Sequence, residues 1–256
     1  MSFSKHSARA FFAISLSIVI SSFVPLPPAA RASEDRVTYS QMEEFFLNHE
    51  ETNIFAVAKV NFAPEFEHFI QDLTDLVNSD GRTNVETNKV AFDMGRDFTQ
   101  KLMLDNAAYL PKSHLTHLRQ VQASHLEFIE YISHDKKQCL NFILLGGDAL
   151  EAGKLDDEAF VILEQLTAAA LEAVSMGRRF PVDHEPPTGQ DYANLLESWS
   201  QQADYSDAFL DAIVSDALSE DIYCDATISL LRHLISDEDP GTDRIIVELT
   251  VLYYLP

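Results

Sequence analysis

The stretch Ala63–Gly81, "APEFEHFIQDLTDLVNSDG", decides how the rest of the chain is read. Phe66, Phe69, Ile70, Leu73, Leu76 and Val77 recur at intervals of three and four, so on a 3.6-residue turn they share one face. Pro64 suits a first helical turn, where its missing N–H removes no hydrogen bond. Asn78 to Gly81 supplies the stop. The alternation of apolar and polar residues that marks a half-buried strand is almost absent from the chain.

Downstream, the same period repeats. Thr83 and Glu86 have the spacing of a capping box and predict a helix to Leu110, with Ala91, Met94, Phe98, Leu102 and Tyr109 inward, until Pro111 breaks it. Ser113 is placed to cap the next helix, whose apolar stripe is Leu115, Leu118, Leu126, Ile129 and Ile132. A short helix around Cys139–Leu145 stops at Gly146-Gly147. Asp156 or Asp157 caps another, through Phe160, Leu163, Leu166, Ala170 and Val174 to Gly177. Three prolines in residues 178–190 mark a loop with the composition of an exposed linker. Helices follow near Tyr192–Trp199, Ser206–Leu218 and Ile222–Ile235. The last segment, "TDRIIVELTVLYYL", reads as a helix, although its Ile, Val and Tyr content leaves a strand open. The expectation is an all-α chain, a compact bundle of about nine helices with one disulfide, forming a single domain over residues 33–256.

Residues 1–32 read as an export signal. Lys5, His6 and Arg9 form a basic start, Ala10–Val24 is an uncharged apolar run, and Ala30 and Ala32 suit cleavage before Ser33. The run is shorter than the ~20 residues that span a bilayer as a helix. A chain without a stable membrane anchor after cleavage is expected, in the periplasm or outside the cell. The two cysteines, Cys139 and Cys224, are then expected to form a disulfide closing a loop of 85 residues.

The chain carries 18 Lys and Arg against 41 Asp and Glu, a net charge of −23. That balance argues against nucleic acid and against anionic lipid surfaces, because contact with either adds repulsion. Basic proteins, cationic ligands and metal ions are the partners that such a field attracts.

One acidic stretch, "SDEDPGTDRIIVE" (Ser236–Glu248), tests the metal option. With Asp237 as first ligand of a twelve-residue calcium loop, Asp239 is third, Asp243 seventh and Glu248 twelfth. The turn glycine, however, is fifth (Gly241) instead of sixth, and Arg244 takes the usual aliphatic eighth place. Thr242 as N-cap, with acids near the positive helix end, reads the same residues as a helix entrance.

Histidines give a second candidate. His114 and His117 lie three apart, and His134-Asp135 follows in "YISHDKKQ". That short stretch loosely resembles the His-Asp signature of the HD metal-dependent phosphohydrolases, which are all-helical. The resemblance implies His117, His134 and Asp135 as ligands of a divalent transition metal that activates water. It covers a few residues, leaves little room between His117 and His134 for two helices to fold back, and lacks the usual apolar-Gly-Lys continuation. No Gly-x-Ser-x-Gly and no phosphate-cradling Gly-rich loop with Lys occurs.

For binding, "DYANLLESWSQQADY" places Tyr192, Trp199 and Tyr205 beside acids. These aromatics are interface candidates, although Tyr192, Leu195, Leu196 and Trp199 also form one helical face suited to a core. The expected function is an exported binding or inhibitor-type protein, not an enzyme, that engages a basic partner. The alternatives are the metal-dependent phosphohydrolase and a structural component of the envelope.

Overall fold

A computed structural model describes residues 36–48, 54–79, 84–147, 150, 154–203 and 220–254. Among them lie ten α-helices and no strand. In chain order these are α1 (Tyr39–Leu47), α2 (Ile54–Asn61), α3 (Ala63–Asn78), α4 (Asn84–Asn106), α5 (Leu115–Ile132), α6 (Lys136–Leu145), α7 (Asp157–Arg179), α8 (Gly189–Ala203), α9 (Glu220–Ser236) and α10 (Pro240–Tyr254). The export signal, Thr83, the helix expected over Ser206–Leu218 and Tyr205 lie outside the described residues.

The apolar stripe of α3 faces inward as its spacing requires, with Phe66, Phe69, Ile70 and Leu73 buried. Two helices before it carry no strong periodic signal and were not expected. α1 is started by a capping box in which Thr38 accepts from the Gln41 N–H and the Gln41 side chain accepts from the Thr38 N–H. The end of α3 holds that entry in place, because Asn78 pairs through both amide atoms with the Val37 backbone.

α4 ends at Asn106, and the chain tightens into a 3₁₀ segment, Ala107–Lys112, that contains Pro111. Ser113 was expected to cap α5, but its N–H closes the 3₁₀ turn onto Leu110. His114 is the cap instead, its Nδ1 accepting from the Thr116 N–H at 3.3 Å. α6 is capped by Asp135 and stops where Gly146 takes φ 74°, a left-handed conformation that glycine adopts without strain.

α7, a long apolar helix, is mostly buried and packs against α5, α2 and the 3₁₀ segment. Asp156 caps it, with acids in its first turn and Arg178 and Arg179 in its last, as the helix dipole favours. Gly177 does not end the helix. A Cβ there would meet the Tyr109 carbonyl oxygen at 2.0 Å, so the glycine lets the 3₁₀ segment lie directly on α7.

The proline-rich segment 180–188 is not a free linker. The Val182 N–H donates to the Lys112 carbonyl at 2.7 Å and His184 Nε2 to the Ser113 carbonyl at 2.8 Å. It is a strap along the 3₁₀ segment. Beyond it, α8 and α10 pack together, α9 lies on α6, and α5 touches both α9 and α10. The Cys139–Cys224 disulfide joins α6 to α9 with both residues fully buried. The last segment is helical, beginning at Pro240. Asp239 receives the Gly241 N–H at 2.7 Å, so the entrance is capped three residues before Thr242, whose buried hydroxyl donates to Asp237.

Candidate functional site

Two segments that composition sets apart, the strap and the acidic turn before α10, meet around Arg244. Its guanidinium makes a two-pronged pair with Asp191 at the start of α8, at 2.6 and 3.1 Å, and its charge also faces Glu185 and Asp239. Asp191 accepts in addition from the Thr188 N–H at 2.7 Å and the Thr188 hydroxyl at 2.9 Å. Arg244 first, then Thr188, holds the Asp191 carboxyl far below the usual carboxylate range. Gly241 is glycine because Asp191 comes so close. A Cβ there would stand 2.6 Å from Asp191 Oδ1.

Arg119 of α5 locks the other side of the turn. It donates to the Ile235 and Asp237 carbonyls, both at 2.7 Å, and pairs with Asp243 at 2.5 Å. Tyr192 donates its hydroxyl to Glu248, and burial, then Glu248, raises that hydroxyl well above its ordinary value. Beneath the turn, then, buried or half-buried charges are already matched.

Above that floor Asp183, Glu185, Glu238 and Asp239 are exposed. Glu185 and Asp239 both face Arg244, and Asp183 and Glu238 flank them on the same two tied segments, so the four are treated together as an acidic rim. Such a rim can accept hydrogen bonds from ammonium and guanidinium groups without first ordering itself.

The calcium-loop residues serve this architecture. Asp243 pairs with Arg119, Glu248 with Tyr192, and Asp239 caps α10. Burial alone would raise the Asp237 carboxyl, but hydrogen bonds from Thr242 and the Asp239 N–H outweigh it and hold it below its ordinary value. The histidine set is likewise dispersed in role. His114 caps α5, Asp135 caps α6, and His134 Nδ1 donates to the Tyr131 carbonyl at 2.9 Å. His117 lies half-buried on the first turn of α5. Among the described residues no three His, Cys, Asp or Glu side chains gather as a metal ion requires. Most members of both sets are thus engaged as helix caps, hydrogen-bond partners or ion pairs.

Of the aromatic candidates, Trp199 is core. It is 1% exposed, and its indole N–H donates to Ser229 at 3.1 Å. Tyr192 is half-buried at the floor of the rim. Arg119 and Arg244 are the residues that sequence reasoning missed as organisers of the site. The signal for Arg244 was present: it is the cation that breaks the calcium-loop pattern, and a cation inside an acidic stretch calls for a carboxylate partner. Compared with known proteins, the chain matches no family model, no curated protein and no solved structure.

Proposed function

We propose that the protein is an exported, non-enzymatic binding or inhibitor-type protein that engages a basic protein through Asp183, Glu185, Glu238 and Asp239. One observation carries this reading: the strap and the turn share Arg244 as a common counter-charge, so the rim carboxylates stand on a floor whose own charges are matched. A net charge of −23 steers basic partners toward the molecule, and a rim already held in place loses little freedom on binding. The proposed destination, the periplasm or the cell exterior, draws on residues 1–32 and agrees with the Cys139–Cys224 bond, which persists in oxidising compartments.

The test is calorimetric titration of the full chain with a basic folded protein such as cytochrome c. Going from about 20 to about 200 mM salt shortens the screening length from roughly 20 to roughly 7 Å. The reading expects at least a tenfold rise in Kd over that range. An unchanged Kd, or no binding at low salt, contradicts it.

A further inference from the structure

The strap changes character along its length. Asp183 and Glu185 lie in its middle, while Phe180 at its start and Arg178 and Arg179, the last residues of α7 before it, are all exposed. Most of the cations in the described residues face a carboxylate, as Lys101 faces Asp105 and Arg232 faces Glu130. Arg178 and Arg179 reach only amide oxygens, those of Asn106 at 3.4 Å and Asn61 at 3.5 Å. These bonds also show what else is nearby, since Asn61 and Asn106 end α2 and α4.

Those helix ends expose large apolar groups. Val60 is 76% exposed, Phe180 59% and Leu104 50%, and Tyr109 of the adjoining 3₁₀ segment is also exposed. Arg179 lies over the Phe180 ring at 5.5 Å. Lys112, exposed at the end of the same 3₁₀ segment, is tied to the strap through its carbonyl. The corner thus presents separate apolar side chains on different chain segments, with Arg178 and Arg179 reaching the ends of α4 and α2 that carry Leu104 and Val60. The apolar side chains stand apart instead of forming the continuous patch found at the centre of many apolar protein interfaces. Isolated anchors with the cations Arg178 and Arg179 close by suit a surface into which each side chain inserts by itself.

We propose that this corner seats the protein peripherally on a bilayer of anionic phospholipids, with Arg178, Arg179 and Lys112 on the phosphates and Phe180 and Val60 in the interface. The net charge of −23 argues against such a surface only if the molecule acts as a single point. At physiological salt the screening length is about 8 Å, so the bilayer meets the corner and not the distant carboxylates. When salt falls to roughly 10 mM, the length grows to about 30 Å and repulsion by the rest of the chain is felt. Binding is therefore strongest at intermediate salt.

The experiment is co-sedimentation of the full chain with vesicles of phosphatidylglycerol and phosphatidylcholine, against phosphatidylcholine alone. Arg178→Gln with Arg179→Gln lowers the partition coefficient by about fivefold per charge removed, Phe180→Ser lowers it further, and Asp183→Asn raises it. All of these side chains are exposed, and unchanged circular dichroism and melting confirm that each variant folds. Equal binding to both vesicle types overturns the proposal. So does binding indifferent to the corner variants, which would come from another segment such as the apolar residues 10–24. Retention by an immobilised acidic peptide with no retention by anionic vesicles also overturns it, in favour of an acidic protein.

Discussion

Around Phe69 the chain is joined ring to ring, and around Arg119 it is joined atom to atom. In the first region Phe69 stacks on Phe98 at 4.4 Å and on Phe55 at 5.6 Å, while Phe46 meets Phe55 edge-on at 4.7 Å. Rings from α1, α2, α3 and α4 thus close one apolar cluster. In the second region α5, α8 and α10 are linked by Arg119–Asp243, Arg244–Asp191, Tyr192–Glu248 and Gln122–Thr250, and Arg119 also reaches the Ile235 carbonyl of α9. Ser198 and Gln202 of α8 bracket the His233 ring at 2.8 and 2.5 Å. Dispersion between rings is nearly indifferent to small rotations, whereas directional bonds hold only at one register. The comparison teaches where a site can be built. The exposed rim sits on the region where directional bonds fix how the helices meet.

The largest expected effect breaks the second region alone. Replacing Cys139 and Cys224 with Ala removes the tie between α6 and α9, and a closed loop of 85 residues corresponds to about 4 to 5 kcal/mol in the chain-entropy model. Urea unfolding with amide exchange checks it. Protection lost first in α9 and α10 fits the comparison, and uniform loss across α1–α4 breaks it.

Arg119→Met is next. It keeps an apolar stem but strands Asp243 and two carbonyls, at a cost of about 3 kcal/mol. The thermal midpoint measures the loss, and a change below about 1 kcal/mol would mean that the turn before α10 is held by other contacts.

A similar size is expected from acid. His125 is fully buried against Phe142, and burial pushes its imidazole down to about 3. The unfolded chain binds this proton near pH 6.5 and the folded chain does not. Stability from His125 is therefore present above pH 6.5 and is lost as pH falls toward 3. Between pH 6.5 and about 4.5 the loss is about 2 kcal/mol. In His125→Leu this part of the pH dependence vanishes, so on acidification the stability difference between the two proteins moves in favour of the variant by the same amount. Parallel curves would refute the assignment.

The smallest effect sharpens the contrast from the other side. Phe69→Leu leaves an apolar group of similar reach among rings that can resettle, at about 1.5 kcal/mol. A loss as large as that of Arg119→Met would show that the ring cluster is also tightly specified.

Much of the fold was legible, for reasons visible in single elements. The α3, α5 and α7 stripes were readable because a buried helical face imposes its spacing directly on the chain, as Phe66, Phe69, Ile70 and Leu73 show. α1 and α2 were missed because short helices leave few turns in which periodicity can appear, although Thr38 and Gln41 carried a cap signature. Gly177 misled because a glycine that ends a helix and a glycine that admits a neighbouring backbone look alike in sequence. The site was the least legible part. Arg244 and Asp191 are 53 residues apart and Arg119 and Asp243 are 124 apart, and no local pattern encodes such pairings. Composition identified the strap and the acidic turn, but only the packing of α8 against α10 brings them together.

The central claim is that the rim binds a basic partner by position and not by bulk charge. The direct test is calorimetric titration with cytochrome c of two variants with the same net charge. One carries Asp183→Asn, Glu185→Gln, Glu238→Gln and Asp239→Asn, the last keeping a side chain that can cap α10. The other carries Glu65→Gln, Glu67→Gln, Asp72→Asn and Asp75→Asn on the exposed face of α3. The account predicts that binding is lost in the first variant and kept in the second. Equal weakening in both would contradict it and reduce the rim to one part of a uniformly acidic surface.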